Sequence, residues 1–239
     1  MELKLLLIAI APGLALAFGI YLTDRYDKEP VDLLLKVFIL GCLSVIPTLA
    51  VERFLSMFNV FSGIMWPLYT SFVVAGFTEE FFKRFVVLKS AFKSHHFNEK
   101  LDGIVYCTFS ALGFATVENV VYVVFRFASN YYVGIGRGLF SVPAHMLFGI
   151  TMGYYLSLAK YCVEGKGKCR EFLRKSLIVP VVLHGIFDFI LMSNTPILMV
   201  LFIPYVLYLW KINLDRLNEY TKNSRDIFGR INNKRREEF

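Results

Sequence analysis

Long apolar blocks alternate with short polar segments from one end of the chain to the other. Seven blocks can be drawn: Leu5–Leu22, Leu33–Val51, Gly63–Leu88, Leu101–Phe127, Leu139–Tyr161, Leu177–Met192 and Pro196–Ile212. Most approach the ~20 residues a helix needs to cross a hydrocarbon core. Backbone inside lipid must satisfy its own hydrogen bonds, so each block is predicted to be helical. The expected fold is all-α: a polytopic membrane protein with about seven transmembrane helices. Residues 1–212 form one transmembrane domain, and 213–239 form a basic tail that begins as a helix continuing the seventh block. There is no soluble domain and no convincing internal repeat. In the first block, Ala15-Leu16-Ala17 resembles a signal-cleavage site. The apolar run continues to Leu22 without a strongly basic n-region, so an uncleaved anchor is expected.

Composition sharpens this picture. Hydrophobic residues make up 56% of the chain and charged ones only 19%, against ~25% charged in ordinary globular chains. The formal charge of +7 would suit a nucleic-acid binder, but its distribution follows membrane topology instead. Lys and Arg number three in 23–36, five in 83–100, six in 160–175 and eight in 211–239. The alternate side holds one in 52–62, two in 126–138 and Lys4, which makes 22 against 4. The positive-inside rule then places the N-terminus outside and the tail in the cytoplasm. The basic turn Glu164-Gly165-Lys166-Gly167-Lys168 is suited to anionic lipid headgroups, and nucleic acid is not an expected partner. Neither that turn nor Gly134–Gly138 has the strand and helix context of a phosphate-cradling loop. Cys42 and Cys107 fall in blocks, while Cys162 and Cys169 fall in a cytoplasmic loop without CxxC spacing. Unpaired thiols are expected there.

Against this background the polar residues inside the blocks carry the chemistry. Ionisable groups within a span are costly and are functional candidates by default. The third block holds Glu79-Glu80, with Lys83 and Arg84 one turn further on. At spacings of three and four, each base can share a helical stripe with an acid. Alternatively, the two bases snorkel toward headgroups. The fourth block holds Glu118 and Asn119 with no base within a turn. The fifth holds His145 near its outer end, and the sixth holds His184 and Asp188 one turn apart. A histidine–carboxylate pair of that spacing can fix an imidazole tautomer. Four consecutive blocks thus supply acid, base or ligand groups. Two hydrolytic arrangements suit them. In one, a carboxylate deprotonates water while His184, with Asp188 or Asn119, stabilises an oxyanion. In the other, Glu79, Glu118, His145 and His184 bind a divalent metal such as zinc that activates the water. An ion or proton carrier using the buried Glu and His residues is a further reading, as is a membrane scaffold with a polar core. The chain has no HExxH, GxGD or GxSG motif, so zinc site-2, aspartyl and rhomboid-like types are not indicated.

The series EExxK (Glu79 to Lys83), FxxxE (Phe114 to Glu118) and HxxxD (His184 to Asp188) resembles the PrsW intramembrane proteases. The segment Asp24-Arg25-Tyr26-Asp27-Lys28-Glu29-Pro30 is also similar to that family, so the likeness runs from about Tyr21 to Asp188. PrsW proteins are related to the CAAX prenyl endopeptidases and bacteriocin-immunity membrane proteases, which carry EExxxR, FxxxH and HxxxN. Glu79-Glu80 with Arg84 fits the first of these patterns. Glu118 in place of histidine and Asp188 in place of asparagine favour the PrsW branch. The resemblance implies that Glu79 is the water-activating base and Glu80 its supporting neighbour. It further implies that Glu118 positions the water, that His184 and Asp188 line the oxyanion side, and that His145 is an additional candidate. Lys83, Arg84 and Asn119 would be supporting residues. The implied activity is site-1 cleavage of a single-span anti-sigma factor, releasing an extracytoplasmic-function sigma factor under envelope stress, in a bacterial plasma membrane. Counted from the outer end, Glu79 and Glu80 lie several residues deeper than Glu118 and His145. At ~1.5 Å per residue, a shared site requires helix tilt, a broken helix or a water-filled funnel.

Overall fold

A computed structural model describes residues 2–127 and 130–237. The elements in chain order are α1 (Glu2–Thr23), α2 (Val31–Ser56), α3 (Met65–Tyr69), π1 (Thr70–Phe77) and α4 (Thr78–Ser90). There follow α5 (Lys100–Val120), π2 (Val121–Arg126), α6 (Tyr131–Gly136), π3 (Arg137–Ser141), α7 (Val142–Lys160), α8 (Lys166–Met192) and α9 (Pro196–Glu237). Among the described residues there is no strand, and the molecule is all-α as the hydrophobic pattern predicts.

Six helices are long and apolar enough to cross a membrane: Leu3–Thr23, Val31–Ser56, Lys100–Arg126, Tyr131–Lys160, Lys166–Met192 and Pro196–Arg230. The third expected block is helical through α3, π1 and α4, but Glu79, Glu80, Lys83 and Arg84 take it outside that set. Two boundaries differ from the sequence expectation. The sixth block begins at Lys166 rather than Leu177, because its first three turns are basic and carry no apolar signal. The seventh continues as a helix into the 213–239 tail, as expected of the tail's start, but runs as far as Glu237. The residues beyond it lie outside the described ones.

The centre of the bundle is α5, most of whose residues are buried. It packs against α1, α2 and α7, and its Gly, Ala, Ser and Thr side chains allow close approach, as small residues do between helices in lipid. Gly103 of α5 meets Gly153 of α7 with no room for a Cβ on either. The outer helices turn apolar side chains outward: Leu14, Phe18, Leu35, Ile39, Leu43, Ile46, Ile178, Ile197 and Val200 are all exposed. Such a continuous apolar exterior suits lipid and not water. On α4 the usual amphipathic sense is reversed. Phe77, Phe81 and Phe85 face outward in a row with ring centroids 6.0 and 6.4 Å apart, while Glu79, Glu80 and Lys83 point inward.

At the opposite end of α5 from Glu118, the 24–30 segment is tied to that helix's start. Asp24 Oδ2 accepts from the Glu29 amide at 2.9 Å, Asn98 Nδ2 donates to Asp27 at 3.1 Å, and the Tyr106 hydroxyl donates to Glu29. Asp102 Oδ2 accepts from the amides of Asn98 and Glu99, both at 2.7 Å. Cys162 and Cys169 are joined in a disulfide, which corrects the expectation of unpaired thiols. The turn between them places Gly165 at φ 97° and folds the start of α8 back on α7. The two Cα atoms are thereby 5.4 Å apart, within bridging range. Spacing along the chain does not reveal that reversal.

Candidate active site

The acids, the histidines and the lysine meet at one place. Lys83, fully buried, donates to Glu79 Oε2 at 3.0 Å, Glu80 Oε1 at 2.8 Å and His145 Nδ1 at 2.9 Å. An ammonium can only donate, so Nδ1 accepts and the ring proton of His145 sits on Nε2. That nitrogen lies 2.9 Å from Glu118 Oε2. His184 Nδ1 lies 3.0 Å from Glu80 Oε1, and its Nε2 lies 3.4 Å from Asp188 Oδ2. Phe148 stacks on the His184 ring at 4.9 Å and fixes its plane. Glu79 Oε2 is 4.0 Å from both His145 Nδ1 and His184 Nε2, too far for hydrogen bonds.

The local backbone explains how residues at different depths along their helices converge. Each of the helices bearing Glu79, Glu118 and His145 carries a π-helical stretch beside the functional residue: π1 ends two residues before Glu79, π2 begins three residues after Glu118, and π3 ends four residues before His145. A π turn holds an extra residue, which rotates and shifts everything beyond it, and such turns recur at functional sites. The helices are bulged rather than broken, and these bulges re-aim the residues whose depths differ. Close packing supplies the rest. A Cβ on Gly76 would stand 3.2 Å from the Val181 carbonyl, and one on Gly185 would run into the Phe72 ring. Backbone contact between π1 and α8 therefore brings His184 to the glutamates.

A cavity of about 660 Å³ opens onto this cluster. Glu79, Glu118, His145, His184 and Asp188 line it, while Glu80 and Lys83 lie behind its wall. All three π segments contribute to the lining.

Two expected supporting residues go elsewhere. Arg84 does not pair with the acids or reach for a headgroup: its guanidinium donates to Ser176 Oγ at 2.9 Å and the Leu173 carbonyl at 3.0 Å. Next to Lys83 in the chain, it lies about 100° further round the helix, which turns it toward α8. Asn119 points away from His184. Its amide donates to the Ala9 carbonyl at 2.9 Å and accepts from Arg137 at 3.0 Å, so it joins α5 to α1 and π3 rather than supporting an oxyanion.

Other cavity residues escaped the sequence reading. Glu52 and Arg53 at the end of α2, Arg126 of π2 and Arg137 of π3 all line it. Arg137 pairs with Glu118 at 3.0 Å and lies over the Tyr122 ring at 4.0 Å. Glu52 and Arg53 adjoin each other at a block boundary, where the pattern looks like an ordinary helix end. Arg137 sat in a glycine-rich stretch that showed only a turn.

A metal ion is one chemistry this geometry accommodates. One ligand atom from each of Glu79, Glu80, His145 and His184 lies within 4.8 Å of all the others. Nitrogen and carboxylate oxygen donors are those zinc accepts. Two observations support the fit: Glu80 Oε2 is buried without a hydrogen-bond partner, and a cation, the Lys83 ammonium, already stands among the donors. The set includes Glu80 where the sequence suggested Glu118, because Glu118 reaches only the far nitrogen of His145.

Comparison with known proteins agrees with the motif order. Residues 29–210 match a family described as PrsW family intramembrane metalloprotease. The chain is 47% identical over 231 residues to a Protease PrsW of Clostridioides difficile, covering 95% of this chain and 96% of that one. It is 39% identical over 208 residues to a Protease PrsW of Bacillus subtilis, covering 86% and 90%. No solved structure matches it. Motif order, buried site and relatives coincide: this multi-pass membrane protein belongs to the PrsW family of intramembrane proteases.

Proposed function

We propose that the protein makes the site-1 cut in a single-span anti-sigma factor, initiating release of a sigma factor in an envelope-stress response. It would act in a bacterial plasma membrane, with its N-terminus outside and its basic C-terminal end in the cytoplasm. The observation that carries the hydrolytic reading is the position of Glu79. Its carboxylate faces the cavity while one oxygen is held by Lys83, with both histidines 4.0 Å away. A peptide entering the cavity meets a carboxylate able to take a proton from water and return it to the leaving amine. Glu80, His145 and His184 supply a carboxylate and two imidazoles of the kind that hold catalytic zinc. When bound there, a divalent ion supplies polarisation of the scissile carbonyl and acidification of water. Glu118 fixes the ring of His145, and Asp188 that of His184, so both imidazoles are held before substrate arrives. Bilayer lipid seals the apolar exterior, and the substrate's single helix would enter from the membrane.

The direct test is cleavage of a single-span anti-sigma substrate by the purified protein in liposomes. A new fragment is expected, absent with Glu79→Gln, lost with chelator and restored by zinc. Cleavage that persists in Glu79→Gln would overturn the role of that residue. Full activity after exhaustive metal removal would leave a glutamate-only hydrolase. Ion flux without cleavage would return the reading to a carrier.

A further inference from the structure

Lys83 holds a place that its motif does not explain. An ion pair with one glutamate would satisfy an ordinary buried lysine. Here the ammonium uses all three protons on the donor set itself: Glu79 Oε2 at 3.0 Å, Glu80 Oε1 at 2.8 Å and His145 Nδ1 at 2.9 Å. Its remaining side faces the Phe114 ring, 4.4 Å from the centroid. The side chain is completely buried, so water does not compete for these contacts.

Two of those acceptors belong to Glu80 and His145, which hold the metal in the reading above, and Glu79 stands in the same group of donors within 4.8 Å. A neutral imidazole nitrogen has a single lone pair, and on His145 Nδ1 that pair is directed at the ammonium. A metal ligand sits about 2.0–2.2 Å from such atoms, and a lysine nitrogen at hydrogen-bond distance from all three blocks that position. Metal and ammonium therefore exclude one another at His145 Nδ1. We infer that Lys83 is a tethered counter-cation occupying the metal position, and that loading the site is an exchange in which the ammonium gives up His145 Nδ1 to the incoming divalent ion. The inference rests on the metal-binding reading above.

The arrangement has two consequences. Without metal, the lysine keeps two carboxylates and an imidazole together that would otherwise repel or collapse, at the cost that buried unpaired charges carry. With metal, the retained positive charge weakens binding, so affinity is set by the lysine as well as by the ligands. The orphaned Glu80 Oε2 is a free acceptor from which an incoming ion can begin the exchange.

The experiment is zinc affinity by chelator competition on full-length protein, stripped of metal in detergent, comparing wild type with Lys83→Met and Lys83→Gln. Removing a positive charge beside the ion should tighten zinc binding at least about tenfold in both variants. One equivalent of zinc bound equally or more weakly by variants that remain folded would overturn the exchange while leaving the metal site intact. No zinc bound by wild type or variants would overturn both. Should the variants fail to fold, wild-type protein with 15N-labelled lysine provides the second measurement. The buried Lys83 ammonium signal should shift or vanish on adding one equivalent of zinc. A signal unchanged with zinc bound overturns the inference.

Discussion

Glu79 and Glu80 are neighbours in the chain, but they occupy different surroundings. Glu79 faces the cavity, whereas Glu80 lies behind it between Lys83 and His184. Substituting them should therefore give different results. Glu79→Gln is expected to lower cleavage by about 10²–10⁴, the range for losing a general base, with a smaller loss of thermal stability than at Glu80, because Glu79 also accepts from Lys83 but faces the cavity. Glu80→Gln removes a fully buried charge that holds both the Lys83 ammonium and His184 and is expected to lower both activity and melting temperature; activity paired with melting curves checks this. Arg84→Ala and Asn119→Ala should reduce stability with little effect on kcat, because their partners are Ser176, Leu173, Ala9 and Arg137. The six candidates Glu79, Glu80, Glu118, His145, His184 and Asp188 were legible because ionisable groups stand out against apolar blocks. That Arg84 and Asn119 make their contacts away from the cluster has a physical reason as well. Spacing assigns a residue to a helical stripe, but only tertiary packing decides which neighbour that stripe meets.

The elements show where the sequence signal ends. Apolar runs locate the helices well, since lipid burial leaves a continuous signal. A π turn leaves none: its single extra residue disappears inside an unbroken run. Deleting Val73 from π1 should restore an α-helical register and displace Glu79 and Glu80 by about 100° relative to the residues before the deletion, such as Pro67 and Ser71. Membrane insertion should survive and cleavage should be lost. Retained cleavage would show that the π stretch does not set the site. The 24–30 segment supports a second prediction at this scale. Burial raises the carboxyl groups of Asp24 to about 6, and of Glu29 and Glu99 to about 7. An acid raised in the folded state binds more protons there than when unfolded, so stability falls as pH rises through that interval. The melting temperature in detergent should thus be higher at pH 5.5 than at pH 8. Glu29→Gln should flatten the profile, mainly by raising the value at pH 8. An unchanged slope would remove Glu29 as a source of the effect.

At the scale of the whole molecule, α7 links the site to the C-terminal helix. Near one end it carries His145. Further along, Thr151 donates to Asn213 at 2.7 Å and accepts from Arg216 at 2.8 Å, and Tyr154 stacks on Tyr220 at 5.1 Å. Leu217, Tyr220 and Ser224 of α9 are buried, so the stretch after Ile212 includes a docked helix face as well as a basic charge run. Its sequence shows mainly Lys, Arg, Asn and Glu, with apolar residues three or four apart, too sparse for a span yet sufficient for one packed stripe. Ending the chain after Ile212 would expose that part of α7 and forfeit the burial of at least Leu217 and Tyr220, worth about 1.5–3 kcal/mol for each large side chain. A drop in melting temperature of more than about 5 °C is expected. Cleavage should weaken as well, because α7 would hold His145 less firmly against Lys83 and Glu118. Ending it after Gly229 leaves every one of those contacts in place and should change neither quantity. Equal behaviour of the two truncations would show that α9 beyond the membrane does not support the site.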